Sequence, residues 1–224
     1  MERPYITQHI HLDSIDSTQS YLKDNLEEGN LLVSAVEQTG GIGRQGNVWA
    51  HQKDSLAFSF TLGPNEIPTL TPLEVAVLIT MFMEKYYFQK LKLKWPNDLL
   101  TEKGEKCGGI LIQNIDGRLI VGVGINLTLG RPIGKRDCYP PGSIDLGAVP
   151  LKDLSASVYE YILNHRLKAQ EVRALWTNRC IHLGKKVEID KLSGLFEGIG
   201  NLGEALLKGE KRIKVFSGTL NPLT

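Results

Sequence analysis

A stretch of four glycines, an arginine and a tryptophan, Gln38-Thr39-Gly40-Gly41-Ile42-Gly43-Arg44-Gln45-Gly46-Asn47-Val48-Trp49, joins an apolar run at Leu31 to Gln38 to an alternating one at Ser55 to Leu62. A strand that enters such a loop and leaves it as another strand restricts the fold more than any other segment. Glycine tolerates positive φ and close approach, so successive N–H groups can converge on an anion while Arg44 adds a charged fork. Phosphate or an acyl phosphate suits that arrangement. A solvated glycine linker is the plain alternative.

Gly41-x-Gly43-x-x-Gly46 also fits the dinucleotide fingerprint and, with Val48, the kinase glycine loop. Context argues against both. A dinucleotide loop opens a helix and is followed about 20 residues later by an acidic ribose ligand, whereas Asn47 to Asp54 is turn-like and a strand follows. The V-A-I-K, H-R-D and D-F-G segments of a kinase are missing.

With 224 residues, 42% of them hydrophobic, the chain can bury one main core and carry a small appendage. Twenty-six basic and 25 acidic residues leave a net charge of +1, which argues against a general attraction to nucleic acid or membrane. Cys107, Cys138 and Cys180 have neither disulfide-framework nor zinc spacing. The N-terminal residues lack a signal-like apolar run, and a cytoplasmic location is expected.

Along the chain, His9 to Ile15 reads as a strand, and Asp16-Ser17-Thr18 as the start of a helix to about Leu26. Ser17 and Thr18 at that terminus can grip a polar ligand or simply cap. His9 and His11 share a strand face without a third metal ligand. Gln38, the last strand residue before the loop, offers an amide to an amide-like or ureido group. Thr71-Pro72-Leu73-Glu74 reads as a capping box opening an apolar helix to about Gln89.

Leu91 to Trp95 re-enters the sheet, and Lys94-Trp95-Pro96-Asn97-Asp98 sets a cation, an amide and a carboxylate around a proline. A strand beginning Lys106-Cys107-Gly108-Gly109-Ile110 turns at Asp116-Gly117 and returns through Leu119 to Asn126. Residues 127–150 read as a loop, and Leu151 to Trp176 as helix with a break near Asn164 to Gln170. Four short strands follow, at Lys185 to Ile189, Leu195 to Gly198, Glu204 to Lys208 and Lys211 to Ser217.

From about Asp16 onward the chain resembles the biotin–protein ligases. Five segments carry the resemblance: Asp16-Ser17-Thr18, the loop from Gln38 to Trp49, Lys94-Trp95-Pro96-Asn97-Asp98, Lys106-Cys107-Gly108-Gly109-Ile110 and Gly122-Val123-Gly124-Ile125-Asn126. Gly198-Ile199-Gly200-Asn201-Leu202-Gly203 is similar to the family's C-terminal SH3-like domain. The resemblance implies an α/β (α+β) fold over residues 1–178. This would be a mixed sheet flanked by helices, like class II aminoacyl-tRNA synthetases and biotin–lipoate ligases, with an SH3-like β-barrel over 179–224.

It also implies that biotin and ATP, with Mg²⁺, form biotinyl-5′-AMP and pyrophosphate. The acyl group then passes to a lysine of a biotin carboxyl carrier protein or carboxylase subunit. By the same resemblance, Ser17, Thr18, Gln19, Gln38, Ile42, Gly43, Arg44 and Lys106 hold biotin, Arg44 and Lys106 being catalytic. Gly41, Trp49, Lys94, Asn97 and Asn126 hold the adenylate, and Asp98 is the candidate Mg²⁺ ligand. Many members carry a basic residue where this chain has Ile42, which shifts work to Arg44.

The chain begins at the catalytic domain without a helix-turn-helix, so no DNA partner is expected; with no apolar run of membrane-spanning length, no membrane partner is expected either, and a homodimer is compatible. Truncation after about Asn178 is expected to leave a foldable catalytic domain. The rival readings are a lipoate ligase or octanoyl transferase with Cys107 as acyl-carrying nucleophile, and a non-catalytic biotin- or nucleotide-binding sensor.

Overall fold

The computed structural model describes residues 4–49, 54–130 and 139–223, so Cys138 lies outside the described residues. Seven strands form the larger sheet: β1 (Gln8–Ile15), β2 (Leu31–Gln38), β3 (Asp54–Leu62), β4 (Leu91–Lys94), β5 (Asp98–Thr101), β6 (Lys106–Ile115) and β7 (Arg118–Thr128). Their order is β1-β2-β3-β7-β6-β5-β4, parallel between β1 and β2 and antiparallel elsewhere. The helices are α1 (Thr18–Asp24), α2 (Thr71–Tyr87), α3 (Leu151–Asn164) and α4 (Ala169–Arg179). Among the described residues no helix is long and apolar enough to cross a membrane.

Alternation along the central strands sorts side chains by size. Leu56, Phe58, Phe60 and Leu62 of β3 and Val121, Val123 and Ile125 of β7 join the large core under α2 and α3. The intervening Ser55, Ala57 and Ser59 pair in register with Asn126, Gly124 and Gly122, so the opposite face is small and polar. Short α1 covers part of that face through Leu22, which packs with Leu31, Val33 and Ile120. The small-residue strip beyond α1 is where a ligand can approach the sheet.

Helix α2 is apolar nearly all round and buries Val75, Val77, Leu78, Ile79, Phe82 and Met83 against the sheet. Its expected capping box is not formed. A 3₁₀ turn, Pro68–Leu70, runs directly into the helix. Thr71 Oγ1 therefore donates to Pro68 O at 2.8 Å and accepts from the Asn65 N–H at 3.0 Å.

Glu74 turns away to hold the α3–α4 connection. Arg166 meets it through Nε–Oε1 and Nη2–Oε2 at 2.9 Å each, the Leu167 N–H donates to Oε1 at 2.8 Å, and Asn65 Nδ2 donates to Oε2 at 3.0 Å. Glu74 is fully buried. Glu74→Ala is expected to cost about 3 kcal/mol, toward the low end for breaking a buried pair because Arg166 retains some access to water. Urea unfolding checks this, and a loss below about 1 kcal/mol contradicts it.

The helical break expected near 164–170 is present between α3 and α4, and the Asp116-Gly117 turn has φ of 49° and 85°, a two-residue hairpin. The strand β5 was not foreseen, because four residues after a proline carry little periodicity.

Past α4, β8 (Lys186–Ile189), β9 (Leu192–Ile199), β10 (Ala205–Lys208), β11 (Arg212–Val215) and β12 (Leu220–Pro222) form a second, antiparallel sheet ordered β11-β10-β9-β8-β12. Strand β12, three residues ending in proline, was also unforeseen.

The proposed boundary at 178/179 falls one residue before the end of α4, and the packing does not divide there. Leu93 bridges Cys180 in parallel, the Ile181 N–H donates to Leu93 O at 3.0 Å, and Trp95 Nε1 donates to Gly203 O at 2.9 Å. Trp176, Val187, Ile189, Phe196 and Leu207 belong to the same core as Phe58 and Leu78.

Candidate active site

The glycine stretch folds back on itself as a narrow ribbon. Ile42 and Val48 form an antiparallel bridge, the Trp49 N–H donates to Gly41 O at 2.8 Å, and the Gly43 N–H donates to Asn47 O at 2.7 Å. Gln45 at φ 55° and Gly46 at φ 75° make the tip. Thr39 and Gly40 donate to Ile15 O and Asp16 O. The donors at 39, 40, 43 and 49 thus bind carbonyls of the chain itself and are not free to converge on an anion. Arg44 carries the charge of the loop.

Under the ribbon lies a cavity of about 230 Å³. Its inner end is a chain of polar side chains on the small face of the sheet. Gln38 Oε1 accepts from the Thr18 N–H at 2.8 Å and from Thr18 Oγ1 at 3.0 Å. Thr18 Oγ1 and Ser59 Oγ are 2.9 Å apart, and Ser59 donates to Gln19 Oε1 at 3.1 Å. Gln19 Nε2 reaches Gln113 Oε1 and Ile120 O. Ser17 caps α1 by accepting from the Ser20 N–H. Ser17, Thr18, Gln19, Gln38 and Ser59 are buried, so their orientations are fixed before any ligand arrives.

The other end is cationic. Buried Asp98 holds Lys94 Nζ at 2.7 Å on Oδ2 and Lys106 Nζ at 3.0 Å on Oδ1. Arg44 Nη1 donates to Asn97 Oδ1 at 3.3 Å, while Asn97 Nδ2 donates to Ile110 O at 2.8 Å. Burial lowers the Arg44 guanidinium from its usual value and Asp98 and Asp190 oppose that shift; it stays a cation at neutral pH. Among the described residues the cavity wall therefore carries three cations, Arg44, Lys94 and Lys106, against one carboxylate.

Asp98 was also the candidate Mg²⁺ ligand. Both its oxygens face lysine ammonium groups, and among the described residues no group of three His, Cys, Asp or Glu side chains is placed to hold a metal. The described residues alone therefore do not form a magnesium cage.

Ser17, Thr18, Gln19, Gln38, Ile42, Gly43, Arg44, Trp49, Lys94, Asn97, Asp98 and Lys106 all line the cavity. Two expected residues do not. Gly41 sits in the ribbon, where a Cβ would come within 2.7 Å of Trp49 O. Asn126 is buried behind the wall, its Nδ2 donating to Gly142 O at 3.1 Å and its backbone carbonyl accepting from the Ile144 N–H at 3.0 Å.

Two cavity-lining glycines of β7 are closely packed: a Cβ on Gly124 would lie 2.7 Å from the Trp49 indole, and one on Gly122 would lie 2.5 Å from Gln19 Oε1. Trp49 Nε1 is buried without an acceptor among the described residues, as suits a donor that a ligand completes.

Ser59 and Thr219 also line the cavity. Ser59 was legible in principle, as a small polar residue in phase with Ala57 and opposite Gly122. Thr219, directly before β12 of the second sheet, has no motif to betray it.

Cys107 is fully buried, and burial pushes its thiol up to about 12. It faces the core under α2 and its Sγ lies 3.5 Å from Leu99 O. A neutral, enclosed thiol is no acyl carrier. Cys107→Ala is expected to keep activity within about threefold, as for a small volume change away from the chemistry; a loss beyond about 10² would restore the nucleophile reading.

Residues 11–129 match the family model described as the biotin/lipoate A/B protein ligase family. The bifunctional ligase/repressor BirA of Bacillus spizizenii is 30% identical over 92% of this chain and 71% of the relative. The chain belongs to the biotin/lipoate A/B protein ligase family.

Within it, the relatives place this ligase among the biotin–protein ligases. The biotin protein ligase of Aquifex aeolicus in complex with biotin and ATP superposes with a TM-score of 0.81 at 28% identity, covering 97% of this chain and 100% of that one. Biotin acetyl coenzyme A carboxylase synthetase of Helicobacter pylori with bound biotinylated ATP gives 0.72 at 26% identity, covering 92% and 99%. Ligase chemistry at an ATP site agrees with a cavity that is polar at one end and cationic at the other.

Proposed function

We propose that this ligase condenses biotin with ATP to biotinyl-5′-AMP and transfers the biotinyl group to a lysine of a biotin carboxyl carrier protein. The observation that carries this reading is the polarity of one continuous cavity, fixed amide and hydroxyl groups at its inner end and, among the described residues, a surplus of two positive charges at its mouth.

In this reading Thr18, Gln38 and Ser59 pair with the ureido ring, whose donors and acceptor match amide and hydroxyl partners. The carboxylate then lies toward Arg44 and Lys106. A carboxylate oxygen attacks the α-phosphorus of ATP, an acyl–phosphate bond forms, and the bond to the β-phosphate oxygen breaks to release pyrophosphate. Arg44 and Lys106 offset the charge that gathers on the α-phosphoryl oxygens. Both are preset by Asn97 and Asp98, so little reorganisation is needed at the moment of reaction.

Trp49 supplies a flat wall and an unspent N–H beside the adenine. In the second step the acceptor amine attacks the acyl carbon, AMP leaves with the electron pair of the broken C–O bond, and the amine loses its proton as the amide forms. The protein contributes position and electrostatics and no covalent nucleophile.

Incubation with biotin, ATP and a biotin carboxyl carrier domain, followed by intact-mass analysis, tests the reading. One biotinyl group on the acceptor lysine is the expected result. No modification, or equal modification with lipoate in place of biotin, overturns it.

A further inference from the structure

A buried chain of side chains leads from the second sheet's entry segment to the cationic end of the cavity. His182 follows directly on the residues that pair with Leu93, and it is 2% exposed. Its Nε2 hydrogen-bonds the Tyr139 hydroxyl. The Tyr139 ring lies 5.4 Å from Lys94 Nζ, within cation–π range. Lys94 in turn holds Asp98, and Asp98 holds Lys106. Burial, with Lys94 and Lys185 nearby, lowers the His182 imidazole to about 4, so the ring meets Tyr139 uncharged at neutral pH. Nδ1 is buried without a partner among the described residues. Filling space alone does not account for an imidazole here, because an apolar ring would avoid that unsatisfied atom.

We propose that His182 and Tyr139 are positioning residues for adenylate formation, holding Lys94 against Asp98 so that the shared carboxylate fixes Lys106 at the reacting end of the cavity. The inference rests on the functional reading above. It gives the second sheet a role in the first reaction step: its entry segment supplies the outermost member of the chain that orients Lys106. Neither residue touches substrate in this account.

The test is steady-state pyrophosphate release with biotin and ATP for Tyr139→Phe, His182→Ala, His182→Gln and the Tyr139→Phe/His182→Ala double variant. Tyr139→Phe and His182→Ala are each expected to lower kcat about tenfold, the scale of losing an orienting partner, with the KM for biotin nearly unchanged. His182→Gln places an amide nitrogen near the Nε2 position and is expected to recover most of kcat. The double variant is expected to be no slower than the slower single variant, since both break one link.

Full kcat in both Tyr139→Phe and His182→Ala, or losses that multiply in the double variant, overturns the proposal. Should His182→Ala fail to fold, Tyr139→Phe and His182→Gln decide alone: a tenfold drop in the first with near-normal turnover in the second supports it, and any other pattern refutes it. Active wild-type enzyme with unaffected variants removes the positioning role only, whereas inactive wild-type enzyme removes the functional reading beneath it.

Discussion

Lys106→Ala is expected to slow biotin-dependent pyrophosphate release by about 10²–10³-fold, the range seen when one preorganised charge contact to a developing negative charge is removed. The side chain opens β6 at the cavity mouth and is only partly exposed. Its backbone is pinned on both sides, the Lys106 N–H donating to Pro140 O at 2.8 Å and the Gly142 N–H to Lys106 O at 2.8 Å. Asp98 then fixes the ammonium. The variant leaves Asp98 paired with Lys94, so the fold should persist and the loss should fall on the chemistry. Lys106→Arg is expected to recover little, because a planar fork cannot take the place of a compact ammonium between Asp98 and substrate. Near-normal turnover in Lys106→Ala would remove the central electrostatic role given to this residue.

Truncation after Asn178 is expected to abolish cooperative folding rather than leave a working catalytic domain. The cut strips Leu93 of its partner strand at Cys180 and Ile181, leaves Trp95 Nε1 without Gly203 O, and takes Phe196 from beside Trp176. Leu93, Trp95 and Trp176 are nearly or fully buried. At about 1.5–3 kcal/mol for each large apolar side chain returned to water, exposing these three and losing the matching side chains across the junction rivals the whole stability of an ordinary domain, about 5–15 kcal/mol. Thermal or urea unfolding of residues 1–178 is the check. A single sharp transition with wild-type adenylation would show that the second sheet is dispensable.

The strongest sequence signals were the periodic and the glycine-rich ones. Strand β2, the Asp116-Gly117 hairpin and the apolar α2 were readable because each expresses a local rule. The cavity residues Thr18, Gln38, Arg44 and Lys106 sat on recognisable segments at the ends of such elements.

What escaped was decided by contacts far apart in the chain. Glu74 looked like a cap because three-residue spacing is the local rule, yet Arg166 and Leu167, some 90 residues later, claim its carboxylate. The Gly40 and Gly43 N–H groups looked available to an anion, yet the carbonyls of Asp16 and Asn47 take them. Asp98 looked like a metal ligand in isolation, and only the fold brings Lys94 and Lys106 onto it. Thr219 and His182 carry no motif, and their places follow from how the second sheet docks on Leu93 and Trp95.

The account's central claim is that this cavity activates biotin at the expense of ATP. Pyrophosphate release from ATP by the purified 224-residue chain, measured with biotin, with lipoate and with neither, tests it most directly. The account predicts release that requires biotin and stays at the no-substrate baseline with lipoate. Release that is equal in all three reactions, or absent from all three, would contradict it.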